Sequence, residues 1–232
     1  MFFLKSKKNR KLRNKGFTLI ELILVLGIFS ILTAVTVYSY GDFNNNIILT
    51  NLAYEVALEI RQAQVYSISV RSSDLPNSTR EKQFDASFGV YINPGTSPTG
   101  IVFFSDSEHP NGWCNAGSAN TDCLFTPQIC GTDPGKDECR HVSSLTRGIT
   151  FENICAANSI SGIFGENGNC ATNAETLNSV AITFKRPNPE SIILDNKGRT
   201  HANVGIVLKA NEETKRAVIV SSTGQISVIH IH

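Results

Sequence analysis

The sequence predicts an α+β protein. One long N-terminal helix, membrane-spanning in its first half and amphipathic in its second, packs on an antiparallel β-rich globular domain. Three observations lead there. Phe17–Val37 is an apolar stretch with a single charge. A helical stripe of apolar residues follows, from Asn44 to about Val70. Beyond residue 75 the helical period stops, and short alternating or apolar runs recur between turn residues. Apolar residues are 41% of the 232, enough for a core, and only 18% are charged, which excludes a wholly disordered chain.

The net charge of +1 hides an asymmetry. Residues 1–16 hold seven bases (Lys5, Lys7, Lys8, Arg10, Lys11, Arg13, Lys15) and no acid. That leaves fourteen bases against twenty acids in residues 17–232, a balance of −6. A broad nucleic-acid-binding surface needs its bases on the folded part, so none is expected.

The 21 residues Phe17–Val37 would span roughly 32 Å as a helix, close to the hydrocarbon thickness of a bilayer. The next base after them is Arg61. The positive-inside rule then places the N-terminus in the cytoplasm and everything after about residue 38 outside. A removable secretory signal would have a shorter apolar core ending in a small-residue cleavage site, and none follows here. A plain anchor has no use for Glu21, since a carboxylate facing lipid is costly.

Lys15-Gly16-Phe17-Thr18-Leu19-Ile20-Glu21 accounts for both the junction and the acid. Over residues 10–40 the chain resembles the N-terminal signature of type IV pilins and of the pseudopilins of type II secretion. That resemblance implies cleavage by a membrane prepilin peptidase between Gly16 and Phe17, then N-methylation of Phe17. Residues 1–16 would be a removed leader. Glu21 would be the fifth residue of the mature chain and would set assembly register by meeting the Phe17 amine of a neighbouring subunit. The chemistry is reasonable from below. Glycine lets the backbone enter a protease cleft extended. Two unit charges about 4 Å apart attract by roughly 4 kcal/mol at an effective dielectric of 20, and a buried carboxylate without a partner is penalised.

The helix is expected to continue as a stalk, so that residues 17–72 form one transmembrane and stalk element. Ile48, Leu52, Val56, Ile60, Ala63 and Val70 fall in one stripe about 120° wide. Glu59 falls inside that stripe. Gly41-Asp42-Phe43-Asn44 is expected to bend or interrupt the helix, since Gly and Asn are poor helix formers. Major pilins usually carry a proline in the first half of this helix. The aligned position is Tyr38, which leans toward a minor pilin or pseudopilin.

Residues 73–232 read as an extracytoplasmic β-rich domain. Strands are expected at Phe84–Ile92, Ile101–Phe104, Val180–Phe184, Ile192–Leu194, Val204–Leu208, Ala217–Val220 and Ile226–Ile231. Asn196-Lys197-Gly198 and Ser221–Gln225 read as turns. The pattern is similar to the minor pseudopilins that include the H-type pseudopilin and FimT-like proteins, a helix followed by a β-rich globular part.

All six cysteines lie on the expected outer side, which fits disulfides in an oxidising compartment. The segment around them, about 105–175, is rich in Gly, Asn, Ser, Asp and Pro and reads as a long loop insert. Six cysteines allow 15 complete pairings. An echo in spacing suggests Cys114–Cys123, Cys130–Cys139 and Cys155–Cys170. No C-x-x-C spacing exists, so zinc is not expected.

The sequence has no G-x-S-x-G, H-E-x-x-H, P-loop or dinucleotide motif, and no enzyme or cofactor is expected. His109 and His141, with Asp106, Glu108 and Trp113, read as solvated loop residues. Asp133–Glu138 offers oxygen ligands without EF-hand spacing. His230 and His232 read as an exposed strand end. Lys209, Lys215 and Arg216 flank a possible hairpin and could touch DNA only against the acidic balance.

The expected function is that of a structural subunit, a minor pseudopilin or minor pilin of a type II secretion or type IV pilus filament. The resemblance implies other pilins or pseudopilins, the prepilin peptidase, an inner-membrane assembly platform and the lipid bilayer as partners. The expected setting is the cytoplasmic membrane, single-pass, then the filament. The competing class is a membrane-anchored extracytoplasmic binding module that never polymerises.

Overall fold

A computed structural model describes residues 16–69, 87–95, 100–106, 139–145, 148–184, 188–211 and 214–231. The chain divides into two compact units, one ending at Asn44 and the other running Asn45–His232.

Helix α1 spans Leu19–Ile68. Its start is set locally. Thr18 Oγ1 accepts the Glu21 N–H at 3.3 Å, and the Thr18 carbonyl accepts the Leu22 N–H at 3.2 Å. Thr18 is thus the N-cap, and Glu21 stands at the third helical position, the Thr-x-x-Glu arrangement that favours a helix start. The expected interruption at Gly41–Asn44 is absent, for α1 runs through it. A single glycine costs only about 1 kcal/mol relative to alanine, and the cooperativity of a long helix outweighs that.

In the second unit α1 buries Leu49, Leu52, Ala53, Val56, Ile60 and Ala63. This is the expected stripe, with Leu49 and Ala53 buried where Ile48 is only partly so. Val70 lies outside the described residues.

Two sheets with antiparallel pairings complete this unit. The first contains β1 (Ser87–Asn93), β2 (Gly100–Asp106), β3 (Cys139–Ser143), β6 (Val180–Phe184), β7 (Ser191–Asp195) and β8 (Thr200–His201), in the order β3-β2-β1-β6-β7-β8. The second contains β4 (Thr150–Ala157), β5 (Glu175–Leu177), β9 (Asn203–Lys209), β10 (Lys215–Ser221) and β11 (Ile226–Ile231), in the order β11-β10-β9-β4-β5. Alternate residues enter one core with the helix: Phe88, Val90 and Ile92 from β1, Val180, Ile182 and Phe184 from β6, and Val204, Ile206 and Leu208 from β9. That is the period of two expected of a sheet with one face on the core.

The expected strands at 101–104, 180–184, 192–194, 204–208, 217–220 and 226–231 are present, some extended by a residue or two. The described part of the first begins at Ser87, and residues 84–86 lie outside the described residues. The loop insert over about 105–175 needs correction. It contains β3 and β4 and reaches the start of β5. β4 is an interior strand, paired with both β9 and β5. Its register shifts between Phe151 and Asn153. That bulge breaks the alternation that would have revealed the strand. Residues 107–138 lie outside the described residues.

Polar side chains fasten the elements together. The Ser67 hydroxyl donates to the Phe184 carbonyl at 2.7 Å and accepts the Phe88 N–H at 3.0 Å, joining α1 to β1 and β6. Tyr66 packs edge-on against Phe88 and Phe103. At the β7–β8 turn the buried Asp195 carboxylate accepts the N–H groups of Lys197 and Arg199 at 2.8 and 2.9 Å and Arg199 Nε at 2.8 Å. Arg199 also bonds Glu175 on β5, so one guanidinium links the two sheets. Burial opposes the Asp195 charge, but these donors prevail and hold its carboxyl below the usual aspartate value.

Candidate functional site

The chemistry expected at the N-terminus needs an accessible peptide bond, a helix free to exchange lipid for protein, and a carboxylate near the new amine. Gly16, Phe17 and Thr18 precede the helix and have no regular structure. Gly16 is exposed, with no heavy atom within 4 Å of where a Cβ would stand. Phe17 is 84% exposed. The Gly16–Phe17 bond thus lies in exposed backbone ahead of the N-cap. Glu21 is exposed in the first helical turn. An acid there also complements the positive end of the helix dipole. Leu19–Val37 is long and apolar enough to cross a membrane, and none of it is buried.

The second unit carries a further feature that the sequence reading missed. Ile47, Tyr54, Leu58, Val65 and Ile68 are exposed on α1, on the side away from the core stripe. Their spacing is seven, four, seven and three, and Asn51 and Arg61 occupy the two intervening positions of the same row. An alternating three–four repeat is the signature of a helix seam. The signal was present in the sequence, overlaid on the inward stripe.

The remaining candidates fall elsewhere. Cys155 and Cys170 are joined by a disulfide with Cα atoms 5.3 Å apart. Cys139 is also disulfide-bonded. With Cys155 and Cys170 paired, its partner is one of Cys114, Cys123 and Cys130, all outside the described residues. The proposed Cys114–Cys123 pair lies there too, as do Glu108, His109, Trp113, Asp133–Glu138 and His232. Asp106 closes β2. His141 is exposed on β3, and His230 is exposed on β11. Among the described residues no group of three His, Cys, Asp or Glu side chains is placed to hold a metal ion.

Two of the three bases that flank the possible hairpin turn inward. Lys215, its side chain 8% exposed, donates from Nζ to Glu152 Oε1 at 2.9 Å and to the Asn167 carbonyl at 2.8 Å. Lys209 Nζ reaches the same Glu152 oxygen at 3.5 Å. Arg216 donates to the Lys215 carbonyl at 3.1 Å. The two lysines thus share the one Glu152 carboxylate on β4.

No curated protein sequence and no solved structure shows significant similarity to this chain. Residues 11–37 match the family described as the Prokaryotic N-terminal methylation motif. The match covers the basic residues next to the junction, Gly16, Phe17, Glu21 and the apolar helix, so the chain carries the N-terminal signature of a pilin or pseudopilin precursor.

Proposed function

We propose that the chain is a non-enzymatic subunit of a type IV filament machine, a minor pilin or minor pseudopilin. It is inserted in the cytoplasmic membrane by Phe17–Val37, with residues 1–16 in the cytoplasm and the β-domain outside. A prepilin peptidase cuts after Gly16 and methylates Phe17. An assembly platform then draws the chain from the bilayer into a filament with other pilins or pseudopilins. The observation that carries this reading is the methylation motif over residues 11–37, continuous with a wholly exposed apolar helix. The seam of Ile47, Tyr54, Leu58, Val65 and Ile68 supports it, because it offers helix packing beyond the membrane segment. The departure at Tyr38 and the β-rich outer part favour a minor subunit, similar in pattern to the H-type pseudopilin and FimT-like proteins.

The test is to shear filaments from native cells and read this chain by mass spectrometry in sheared and membrane fractions. A trace-level chain that begins at methylated Phe17, beside an abundant partner, is expected. A dominant methylated chain would make it the major pilin. An intact Met1 start confined to membranes would leave the non-polymerising tethered module.

A further inference from the structure

The connection between β4 and β5, residues 158–174, is long and lies over the outer face of the second sheet. Ile163 is fully buried there, against Cys155, Ala157 and Ile219. Phe164 packs with the same group and with Val207, Ala217 and Ile231. The fit is close, since a Cβ on Gly205 would stand 2.2 Å from the Phe164 ring. Further ties hold the segment. Asn153 on β4 donates a hydrogen bond to the Gly168 carbonyl at 3.5 Å. Another tie is the disulfide from Cys170 to Cys155 on β4. A third is the hydrogen bond from buried Lys215 to the Asn167 carbonyl. Within the segment Ala171 N–H bonds the Ile163 carbonyl and Gly165 N–H the Asn169 carbonyl, so it forms one closed strap.

We propose that this strap is a redox-conditional cover. It is closed while Cys155 and Cys170 are joined, and it swings off the outer face of the second sheet when they are thiols, with both sheets intact. Three observations carry this. First, Ile163, Phe164 and Cys170 belong to small clusters on the outer face, and none of them enters the core shared by the helix and the two sheets. Losing the strap therefore leaves that core in place. Second, the strap is costly to order. It holds Gly162, Gly165 and Gly168, and it puts Asn167 at φ 57°, a conformation that side chains disfavour. Third, its apolar anchorage is narrow, Ile163 and Phe164 with Ala174 at its end, and apart from the hydrogen bonds from Lys215 and Asn153 the disulfide is what ties it to the sheet.

Closure is a thiol–disulfide exchange with an oxidised dithiol protein. Cys155 and Cys170 give up two electrons and two protons and form their S–S bond, and the oxidant's disulfide takes them up as two thiols. The reduced chain would present Val207, Ala217, Ile219 and Ile231 to solvent. The cover would thus mark whether the domain has reached an oxidising compartment. The inference stands whether or not the chain enters a filament.

The test is hydrogen exchange by mass spectrometry on the full chain in detergent micelles, comparing wild type with the Cys155→Ala, Cys170→Ala double variant. Closing a loop of this length shifts the opening equilibrium by on the order of a hundredfold. Peptides covering 158–174 should therefore exchange about a hundredfold faster in the variant, while β9 and β10 keep their protection. Unchanged exchange in the strap would overturn the proposal, because packing alone would then hold it. Should the variant fail to fold, the same reading on briefly reduced wild type decides. Strap-only deprotection supports the cover, and loss across β9 and β10 together refutes it.

Discussion

The Gln64 side-chain amide on α1 donates to two carbonyls, Pro189 at 2.8 Å and Gly224 at 3.0 Å. Pro189 leads into β7 of the first sheet, and Gly224 lies in the β10–β11 turn of the second. One helical residue thus pins both sheets at the same end of the core. Gly224 makes the approach possible. Its φ is +81°, and a Cβ there would stand 2.0 Å from the Pro189 oxygen and 2.6 Å from Gln64 Nε2. Gly224→Ala is expected to cost about 2–4 kcal/mol, combining left-handed strain with a steric conflict. Gln64→Ala is expected to cost about 1–3 kcal/mol through the two lost hydrogen bonds. Thermal denaturation of the detergent-solubilised chain checks both, and a Gly224→Ala variant as stable as wild type would show that the turn relaxes freely.

Such a residue shows where sequence reading stops. The helix, its inward stripe and seven strands were legible because burial on one side imposes a period on the apolar residues. β4 was not, because Glu152 and Asn153 stand at its bulge, and Glu152 is there to meet Lys209 from the adjacent β9 and Lys215 from β10 beyond it. Gln64 and Ser67 read as ordinary polar helix residues, yet both are buried on main-chain groups far away in sequence. Long-range polar contacts leave no periodic trace. The motif at Gly16, Phe17 and Glu21 was legible for the opposite reason: its spacing along the chain is the signal.

Glu59 explains its own intrusion into the inward stripe. Its carboxylate accepts a hydrogen bond from the Ser143 hydroxyl and so ties α1 to the edge strand β3. Burial pushes its carboxyl above the usual glutamate value. The Ser143 bond and the nearby His141 work the other way, and Glu55 adds to the rise. The folded chain therefore holds this proton at a higher pH than the unfolded chain does. Between those two values the native state binds more protons, and stability falls as pH rises. Above both values the ionised group is a net cost. Glu59→Gln keeps an acceptor for Ser143 and removes that cost. A rise in Tm at pH 7 is expected. The gain should shrink as pH falls toward the ordinary glutamate range. Melting curves of variant and wild type across pH give the difference directly, and a gain that grows on acidification would contradict this account.

The outward row on α1 makes a separable prediction. Leu58 is 67% exposed, so Leu58→Glu should change the stability of the β-domain by no more than about 0.5 kcal/mol. If the row is a helix seam within a filament, the same change buries a charge against apolar neighbours and should cut incorporation at least tenfold. Co-purification in the sheared fraction measures one effect and thermal denaturation the other. Normal incorporation of Leu58→Glu would leave the row without a role in assembly.

Glu21 has two jobs on offer, and Thr18 separates them. As the third residue of a helix capped by Thr18, Glu21 favours the helix start within its own chain. As a partner for the Phe17 amine of a neighbour, it would act only between subunits. Thr18→Val removes the capping oxygen, at a cost of about 1 kcal/mol in helix initiation, and leaves the carboxylate. Glu21→Gln removes the charge while keeping the shape and most of the helix propensity. If register depends on the charge pair, Glu21→Gln should insert in the membrane and be cleaved after Gly16, yet stay out of the filament, and Thr18→Val should assemble nearly as wild type does. If helix initiation were the main role, Thr18→Val would be the more damaging of the two. Quantifying each variant in sheared and membrane fractions, with the N-terminal peptide read in the same run, tells the cases apart, because a cleavage defect and an assembly defect then appear as different masses in different fractions.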